Sequence, residues 1–496
     1  MREIMYKSTR SEGEPVTASQ AILRGLAPDG GLYVPTEIPS LKVSMRELAD
    51  MDYRDAACAI MAPFLSDFSQ DELRDCVEAA YDEKFDTPEI APVVEVDGYS
   101  HLELFHGATI AFKDMALSLL PHLMTVSARK NGVSDDIVIL TATSGDTGKA
   151  ALAGFADVPG TKIIVFYPKD GVSPIQEKQM VTQRGDNTCV IGIKGNFDDA
   201  QNGVKDIFGD PEMISELADK GFRFSSANSI NIGRLVPQVA YYAWAYSRLL
   251  KKGTIKDGEE IVFVVPTGNF GNILAGYYAK LIGVPIARLV CASNENKVLF
   301  DFFRTGTYDR NREFILTSSP SMDILISSNL ERLIYMITGE NAGTNAEFMR
   351  QLKENGSYTI PEEMRGRLSD FVGYYTDEAG TAELIRDVYR ACGYICDTHT
   401  AVAAHVARQY RKETGDDRQI VVVSTASPYK FTRSVLTAID PAYECKEDFT
   451  LIDELARLSG TKIPQAIEDI RSAPVRHKTV CEKSGMRDVI RDFLEI

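Results

Sequence analysis

One lysine interrupts an apolar stretch at the start of a predicted helix. Lys113 lies within Ile-Ala-Phe-Lys-Asp-Met-Ala-Leu, residues 110–117. An amine at this position loses solvation and feels the positive end of the helix, and both effects favour its neutral, nucleophilic form. The segment therefore indicates a lysine that could form a Schiff base. The simpler alternative is an ammonium group that reaches water or pairs with Asp114.

A glycine-containing loop after an aliphatic strand could bind a phosphate. Residues 265–272 read Val-Pro-Thr-Gly-Asn-Phe-Gly-Asn and precede a predicted amphipathic helix. Backbone N–H groups and the positive end of that helix would converge on one point. The loop has neither the dinucleotide nor the nucleotide-triphosphate spacing. It predicts a phosphate site for another ligand, unless it is an ordinary strand-to-helix turn.

Two further segments carry hydroxyl groups near predicted strand ends. Residues 141–149 read Thr-Ala-Thr-Ser-Gly-Asp-Thr-Gly-Lys and precede a helix of small residues, and residues 424–431 follow the last predicted strand of the core. We expect these segments and the 265–272 loop at the carboxyl edge of the sheet, where they could bind a carboxylate or a second phosphate. Helix capping is the alternative for the first segment, and a plain turn for the second.

The remaining polar candidates favour structural roles. Asp397 precedes a predicted helix and is explained as its N-cap, and His399 is more often a structural histidine than a base. Six histidines and eight scattered cysteines give no zinc spacing. The sequence therefore indicates neither a metal site nor a serine triad.

These segments require a rigid frame, and the sequence predicts an α/β core. Short β-branched runs alternate with segments of helical period, which implies parallel strands covered by helices on both faces. The clearest strand predictions are residues 137–140, 162–167, 189–193, 261–265, 289–292 and 420–424. Pro121 falls within the helix drawn after Lys113, so that helix is expected to be short or kinked.

The chain divides into three predicted parts. Residues 1–95 mix Gly and Pro turns with helical stretches such as 73–81, which indicates a small N-terminal domain. Residues 96–440 form the α/β core. Residues 441–496 carry helical periods at 451–458, 463–470 and 486–493, and are predicted to be a small helical C-terminal extension.

Composition excludes several classes of protein. The 496 residues include 54 Lys and Arg against 71 Asp and Glu, a net charge of −17, so the surface repels nucleic acid and anionic lipid. The longest aliphatic runs fall short of the roughly 20 residues that span a bilayer, and the first ten residues lack the apolar part of a secretory signal. Eight cysteines without regular spacing are typical of thiols in a reducing compartment. We therefore expect a cytoplasmic protein.

Taken together, these segments resemble the threonine synthase family, in the long form found in bacteria and fungi. The family consists of pyridoxal-phosphate (PLP) enzymes of fold type II, the tryptophan synthase β-like fold. The segments that carry the resemblance are residues 106–109 with 112–114, 143–148, 268–272 and 425–431, together with 29–35 and 226–231 with Arg234. They run in the family's order along most of the chain.

The resemblance implies a role for each matching residue. Lys113 would form the Schiff base with PLP in the core and act as the catalytic acid and base, and Thr425 would face the pyridine nitrogen. The residues expected to hold the cofactor phosphate are Gly268, Asn269, Phe270 and Asn272. The residues expected to contact the substrate are Thr143, Ser144, Thr147 and Asn228. A substrate phosphate would also need cations, for which Lys178 and Arg234 are the candidates. Related enzymes carry an Asn at the position of Asp146, so its contact with the cofactor stays open.

The implied reaction is the last step of threonine biosynthesis. O-phospho-L-homoserine and water would become L-threonine and phosphate by γ-elimination and β-addition of water, with no nucleic-acid or membrane partner and a monomer or weak homodimer as the assembly. A phospho-lyase of the same fold, which would give a 2-oxo acid and ammonia, is the main alternative. A non-catalytic relative that binds an effector would lack the Schiff-base lysine.

Overall fold

The computed structural model describes residues 3–143, 145–172 and 174–496 of the protein. The first part of the chain forms β1 (Tyr6–Ser8), α1 (Ala18–Arg24), β2 (Tyr33–Pro35), α2 (Met45–Asp50), α3 (Tyr53–Met61), α4 (Gln70–Ala80) and β3 (Val93–Val96). Helices α1 to α4 each begin after a Thr, Ser or Asp whose side chain accepts a hydrogen bond from a backbone N–H of the first turn. The helix predicted at residues 73–81 is confirmed as α4.

Strands and helices then alternate, as predicted. The next elements are β4 (Tyr99–Glu103), α5 (Asp114–Leu117), α6 (Leu120–Lys130), β5 (Asp136–Ala142), α7 (Asp146–Phe155), β6 (Thr161–Pro168), α8 (Pro174–Val181), β7 (Thr188–Ile193), α9 (Phe197–Phe208), α10 (Pro211–Asp219), β8 (Phe222–Ser225), α11 (Ile232–Lys252), β9 (Ile261–Pro266), α12 (Gly271–Leu281) and β10 (Ile286–Ser293). All strand predictions up to residue 292 are confirmed, as β5, β6, β7, β9 and β10. Within the described ranges, no helix is long and apolar enough to cross a bilayer.

The rest of the chain completes the core and forms the C-terminal part. Its elements are α13 (Val298–Thr305), β11 (Thr307–Asp309), α14 (Leu330–Ile337), α15 (Ala342–Asn355), β12 (Ser357–Thr359), α16 (Glu362–Gly366), β13 (Phe371–Tyr375), α17 (Glu378–Cys392), α18 (Thr398–Thr414), β14 (Ile420–Ser424), α19 (Thr432–Ile439), α20 (Asp448–Ser459), α21 (Gln465–Ser472), β15 (Val480–Cys481) and α22 (Met486–Leu494). Single 3₁₀ turns lie at Pro320–Met322, Pro428–Lys430, Pro441–Tyr443 and Lys483–Gly485. The strand predicted at residues 420–424 is confirmed as β14.

The core contains two sheets. The sequence pattern predicts a single sheet, with the segments 141–149, 265–272 and 424–431 at one edge. The larger sheet has strand order β13-β10-β9-β14-β4-β3, parallel except for β3, and the smaller has the parallel order β15-β7-β6-β5-β8. The loop before α12 leaves the larger sheet and the loop before α7 leaves the smaller one. The expectation of one shared edge is therefore wrong. One face of each sheet joins the largest apolar cluster together with residues of α6, α7, α11 and α12, and the opposite faces pack against other helices in two separate clusters.

Alternate residues of the buried strands enter different apolar clusters. In β9, the side chains of Ile261, Phe263 and Val265 join the largest cluster, and those of Val262 and Val264 join the cluster on the opposite face. This alternation follows from the two-residue period of a strand. A strand buried on both faces needs apolar residues at every position, which explains the continuous aliphatic runs of the sequence.

Pro121 breaks the helix after Lys113, as predicted. Helix α5 ends at Leu117, and α6 begins at Leu120 with Pro121 in its first turn. A proline is tolerated there because the N–H it lacks would have no partner within the helix. The N-terminal part is tied to this region by Tyr81, whose hydroxyl donates to the carbonyl of Met115 at 2.7 Å.

The C-terminal part is helical, as predicted, but it also adds a strand to the core. Helices α20, α21 and α22 match the three predicted segments, whereas β15 pairs with the edge strand β7 and Gly192 N–H donates to the Thr479 carbonyl at 3.0 Å. A two-residue strand is too short for a periodic signal, so the sequence predicted helices alone. The proposed division of the chain at residues 95 and 440 stays a prediction.

Helix α7 crosses α5 at Gly154, where a Cβ atom would overlap the Leu117 carbonyl oxygen. We expect Gly154→Ala to lower the free energy of unfolding by about 1–3 kcal/mol, since a rigid backbone must move. Urea unfolding measures this change. Gly366→Ala is the control, because a Cβ there would meet no atom within 4 Å, and its effect should stay within about 0.5 kcal/mol. Equal effects of the two substitutions would contradict the packing argument.

Candidate active site

Lys113 lies at the carboxyl edge of the larger sheet. The backbone N–H of Phe112 donates to the Thr425 carbonyl at 2.8 Å, which holds Lys113 beside the end of β14. Its Nζ is 3.2 Å from Ser321 Oγ and 3.7 Å from Asp146 Oδ2, and 11% of the side chain is exposed. Burial lowers the pKa of Lys113 to about 8, although the Asp146 carboxylate opposes the shift. This agrees with the lowered pKa that the sequence predicts.

The Asp114 carboxylate is directed away from Lys113. It accepts hydrogen bonds from the backbone N–H of Thr109 at 2.8 Å and from the Thr109 hydroxyl at 2.5 Å. Gly107 leaves room for this arrangement, since a Cβ at that position would overlap the carboxylate. The alternative of a Lys113–Asp114 pair is therefore replaced by an ion pair with Asp146.

Asp146, at the start of α7, joins the two sheets at the site. Its Oδ1 lies 3.2 Å from Lys430 Nζ and accepts from Gln176 at 3.0 Å, and its Oδ2 accepts from Ser321 Oγ at 3.1 Å. Burial opposes ionisation of Asp146, but the ammonium groups of Lys430 and Lys113 outweigh it and hold the pKa of the carboxyl well below its usual range. The carboxylate is therefore a permanent negative charge beside Lys113.

Ser321 also contacts a histidine on the neighbouring helix α18. Its backbone N–H donates to His399 Nε2 at 3.1 Å, and His399 Nδ1 lies 2.7 Å from Asp397 Oδ2. Asp397 caps α18 through the Thr400 N–H at 2.9 Å, as the sequence predicts. Asp397 and His399 thus have structural contacts and also reach the Lys113 environment through Ser321.

The loop between β9 and α12 is held from one side by the segment before α14. Ser327 Oγ donates to the Gly268 carbonyl at 2.7 Å, and Asn329 N–H donates to the Asn269 carbonyl at 3.0 Å. Phe270 is the residue with a left-handed backbone, with φ 64°, and its ring is buried. Gly268 is needed for a close approach, because a Cβ there would lie 2.5 Å from the Ser321 carbonyl oxygen.

Asn272 lies at the start of α12 and, within the described residues, carries an unpaired hydrogen-bond donor. Its Oδ1 accepts from the Tyr241 and Tyr242 hydroxyls at 2.6 and 2.7 Å. Among the residues that the structure describes, its Nδ2 has no hydrogen-bond partner, although the atom is buried. Buried amide donors are normally paired, so this amide and the free N–H groups of the first turn suit an anionic ligand.

Thr143 and Thr425, which were both expected to contact a ligand through their hydroxyl groups, have different surroundings. Thr143 Oγ1 accepts from the N–H groups of Gly145 and Gly148, both at 3.0 Å, which favours the helix-capping alternative for this residue. Thr425 is buried directly after the end of β14. Its carbonyl accepts from the N–H of Phe112, which places Thr425 next to Lys113.

The other expected substrate contacts are less closely connected to Lys113. Thr147 lies half-buried in the first turn of α7, and Lys178 lies half-buried in α8. Asn228 is exposed and accepts from the Ser229 hydroxyl at 3.2 Å. Ser144 lies outside the described residues.

Arg234 is a buried cation near Lys113. It is 4% exposed, and its Nη1 donates to the Ala227 carbonyl at 3.1 Å. Burial lowers the pKa of Arg234 to about 10, and its charge in turn helps to lower the pKa of Lys113. Within the described ranges, Arg234 Nε has no hydrogen-bond partner. The guanidinium is therefore available to an anion in the site.

Sequence reasoning missed two residues of this cluster and gave one only a structural role. Lys430 lies in the segment 424–431 that was singled out for its hydroxyls, so its position was available but its charge was not used. Ser321 lies in an irregular stretch without periodicity or motif, and no local signal identifies it. His399 was assigned a structural role because a single histidine is more often structural than a base, and no local signal could reveal its contact with Ser321, which lies 78 residues away along the chain.

Comparison with known proteins identifies the family along most of the chain. A family model described as "Pyridoxal-phosphate dependent enzyme" matches residues 85–426. Models described as "Threonine synthase N terminus" and "Threonine synthase, C-terminal" match residues 5–81 and 400–488. The first of these two matches lies before the α/β core, and the second overlaps the end of the core and continues into the C-terminal part, so both terminal parts carry the family pattern as well.

Individual relatives agree with these models. "Threonine synthase-like 1" of Macaca fascicularis is 40% identical over 434 residues, which are 85% of this chain and 58% of that protein. "Threonine synthase" of Schizosaccharomyces pombe is 37% identical over 88% of this chain and 90% of its own. The chain thus spans about 58% of the length of the macaque relative.

A solved structure extends the likeness to the whole fold. The crystal structure of PLP-bound threonine synthase from Brucella melitensis superposes with a TM-score of 0.88 at 34% identity, covering 100% of both chains. With the family models and the fungal relative, this structure identifies both the fold and the cofactor. The chain belongs to the threonine synthase family of PLP-dependent enzymes.

Proposed function

We propose that the protein is a threonine synthase, which converts O-phospho-L-homoserine and water into L-threonine and phosphate. The observation that carries the proposal is Lys113, a buried amine with a pKa near 8 that faces Asp146 and lies close to the cation of Arg234. A nucleophilic amine and a phosphate-binding cation in one site suit an amino acid that carries a phosphate ester. The fungal and bacterial relatives named threonine synthase support the same activity.

The residues of the site fit PLP. Lys113 would link covalently to the cofactor, and the loop Gly268–Asn272 would bind its phosphate through backbone N–H groups and the unpaired Asn272 amide. The ring of Phe270 is buried in the core, so Phe270 would contribute only its backbone. The Thr425 hydroxyl would meet the pyridine nitrogen. When bound, PLP supplies an electron-withdrawing π-system that acidifies the C–H bonds near the substrate's amino group.

The chain's own groups would then move protons and hold the leaving group. The neutral amine of Lys113 would remove the proton at Cα, and Asp146 would stabilise the ammonium that results. Arg234 would bind the substrate phosphate, with Lys178 as a second cation. Thr143, Thr147 and Asn228 remain proposed contacts for the polar groups of the substrate, as does Ser144.

We also propose a cytoplasmic location and a monomer or weak homodimer, with no nucleic-acid or membrane partner. The cysteines are free thiols, which suits a reducing compartment. The net charge of −17 disfavours nucleic acid and close association of copies. Sedimentation at several protein concentrations tests the assembly.

The reaction itself is tested with the purified PLP-loaded protein and O-phospho-L-homoserine. We expect threonine and phosphate in equal amounts, and a Lys113→Ala variant that keeps bound PLP but loses turnover, because the group that moves the Cα proton is gone. Lys130→Ala, on the surface of α6, is the matched control and should keep full activity. Chromatography that finds a 2-oxo acid and ammonia in place of threonine would identify the phospho-lyase instead.

The pH dependence of cofactor attachment follows from the lowered pKa of Lys113. Only the neutral amine reacts, so the rate of covalent PLP incorporation into the apoenzyme should reach half its maximum near pH 8. Below this pH the rate should fall about tenfold per pH unit. Borohydride reduction and peptide mapping should recover the pyridoxyl group on Lys113. A midpoint near 10.5, the ordinary value of a lysine, would show that burial does not control this amine.

Arg234 is expected to bind the substrate phosphate, since the Gly268–Asn272 loop already supplies donors for the cofactor. Arg234→Ala should lower kcat/KM by roughly ten- to a hundredfold, which is what a charge-assisted contact contributes. PLP content should stay normal, and Arg234→Lys should recover part of the loss. Steady-state kinetics with O-phospho-L-homoserine measure kcat/KM for both variants. Loss of PLP together with activity would assign Arg234 to the cofactor phosphate.

A further inference from the structure

We propose that Ser321 is a further catalytic residue, whose hydroxyl orients the reacting nitrogen of Lys113, and that His399 and Asp397 position it. The inference rests on the proposed function, because Lys113 is assumed to carry the cofactor and to move protons. It concerns residues that the sequence did not connect with catalysis.

The hydroxyl of Ser321 bridges the ammonium and the carboxylate. Lys113 Nζ and Asp146 Oδ2 are 3.7 Å apart, which exceeds the length of a hydrogen bond. Ser321 Oγ lies between them, 3.2 Å from Lys113 Nζ and 3.1 Å from Asp146 Oδ2. A serine hydroxyl has one proton, and Asp146 accepts it, so Oγ can only accept from Lys113. Asp146 thereby directs a lone pair of Ser321 at the lysine.

The backbone of Ser321 fixes the tautomer of His399. The Ser321 N–H can only donate, so the Nε2 atom that it meets at 3.1 Å must accept. The ring proton is then on Nδ1, where Asp397 Oδ2 accepts it at 2.7 Å. His399 is 3% and Asp397 0% exposed, so water does not compete for these contacts.

The segment around Ser321 is also fixed from its other side. Asn294 Nδ2 donates to Asp323 Oδ1 at 2.8 Å and to Ser319 Oγ at 3.0 Å, and these residues flank the 3₁₀ turn that carries Ser321. The Ser321 carbonyl packs against Gly268 of the loop before α12. One short turn therefore contacts the lysine, its carboxylate partner and the expected phosphate loop.

The other groups that influence Lys113 act by charge. Asp146 and Asp114 favour its ammonium form, while Lys430 and Arg234 oppose it. Ser321 carries no charge and contacts Nζ directly. Its removal therefore changes the hydrogen bonding of the amine and leaves the charges of the site unchanged.

The first experiment compares Ser321→Ala with Ser318→Ala, as apoenzymes for PLP incorporation and as PLP-loaded enzymes for kcat. Ser318 belongs to the same segment, but its hydroxyl donates to Glu378. Without Ser321 the ammonium form loses an acceptor, so the pH midpoint of PLP incorporation should fall by about one pH unit, and kcat should fall about tenfold. Ser318→Ala should change neither value. A midpoint in Ser321→Ala equal to that of the wild type would overturn the proposal.

The second experiment separates positioning from simple packing. The side chain of His399→Gln still offers an acceptor to the Ser321 N–H, so its losses in kcat and its shift of the midpoint should be clearly smaller than those of Asp397→Asn. In Asp397→Asn, the neutral amide no longer holds the histidine proton on Nδ1 as the carboxylate does. The ring is then free to carry its proton on Nε2, where it faces the Ser321 N–H. We expect kcat to fall at least tenfold and the midpoint to move as in Ser321→Ala.

Equal damage from His399→Gln and Asp397→Asn, or a wild-type midpoint in Asp397→Asn, would contradict the positioning role. Thermal unfolding of each apoenzyme checks that the variants fold. Measuring the pH midpoint of PLP incorporation requires no substrate, so this measurement tests the inference even if O-phospho-L-homoserine is not turned over. A protein with the expected midpoints and no threonine product would refute the proposed function and leave the role of Ser321 intact.

Discussion

The site depends on a shortage of negative charge among buried groups. Lys113 and Lys430 are buried and ion-paired with Asp146, and the buried Arg234 acts electrostatically on Lys113. Burying charge costs free energy unless partners compensate it. Three cations act together with the carboxylates of Asp146 and Asp114, which leaves positive charge that a phosphate can balance. Burial disfavours a proton on Lys113, and the charges of Lys430 and Arg234 add to this effect, so cations that attract an anionic ligand also favour the neutral amine.

The fold supplies this arrangement by bringing two sheets to one place. Lys113 is held at the end of β14 in the larger sheet, and Asp146 begins the helix after β5 in the smaller one. A single sheet edge would separate the loops by whole strands and their crossover helices. Two sheets with helices between them bring the lysine of one within 4 Å of the carboxylate of the other. The cluster therefore forms only when both sheets are in their final positions.

Sequence alone predicted what depends on local pattern. The strands β9 and β14, the break before Pro121 and the apolar setting of Lys113 all follow from periodicity or from the chemistry of single residues. Ser321 could not be predicted, because its partners are 175 and 208 residues away and its own segment has no regular period. The single sheet edge was a wrong expectation for a related reason, since alternating strands and helices do not say how many sheets they form. The site is a product of long-range contacts, whereas its lysine is a local feature.

Strand β15 also determines when the smaller sheet can be completed during synthesis. Residues 480 and 481 cover the edge of β7, in the same sheet that carries the loop of Asp146. A growing chain on the ribosome therefore holds an unpaired parallel edge until residues 480 and 481 have emerged, and exposed edges are the parts of nascent proteins most prone to wrong pairing. The other strands of this sheet end by Ser225, so the edge waits for more than 250 further residues of synthesis before its partner exists.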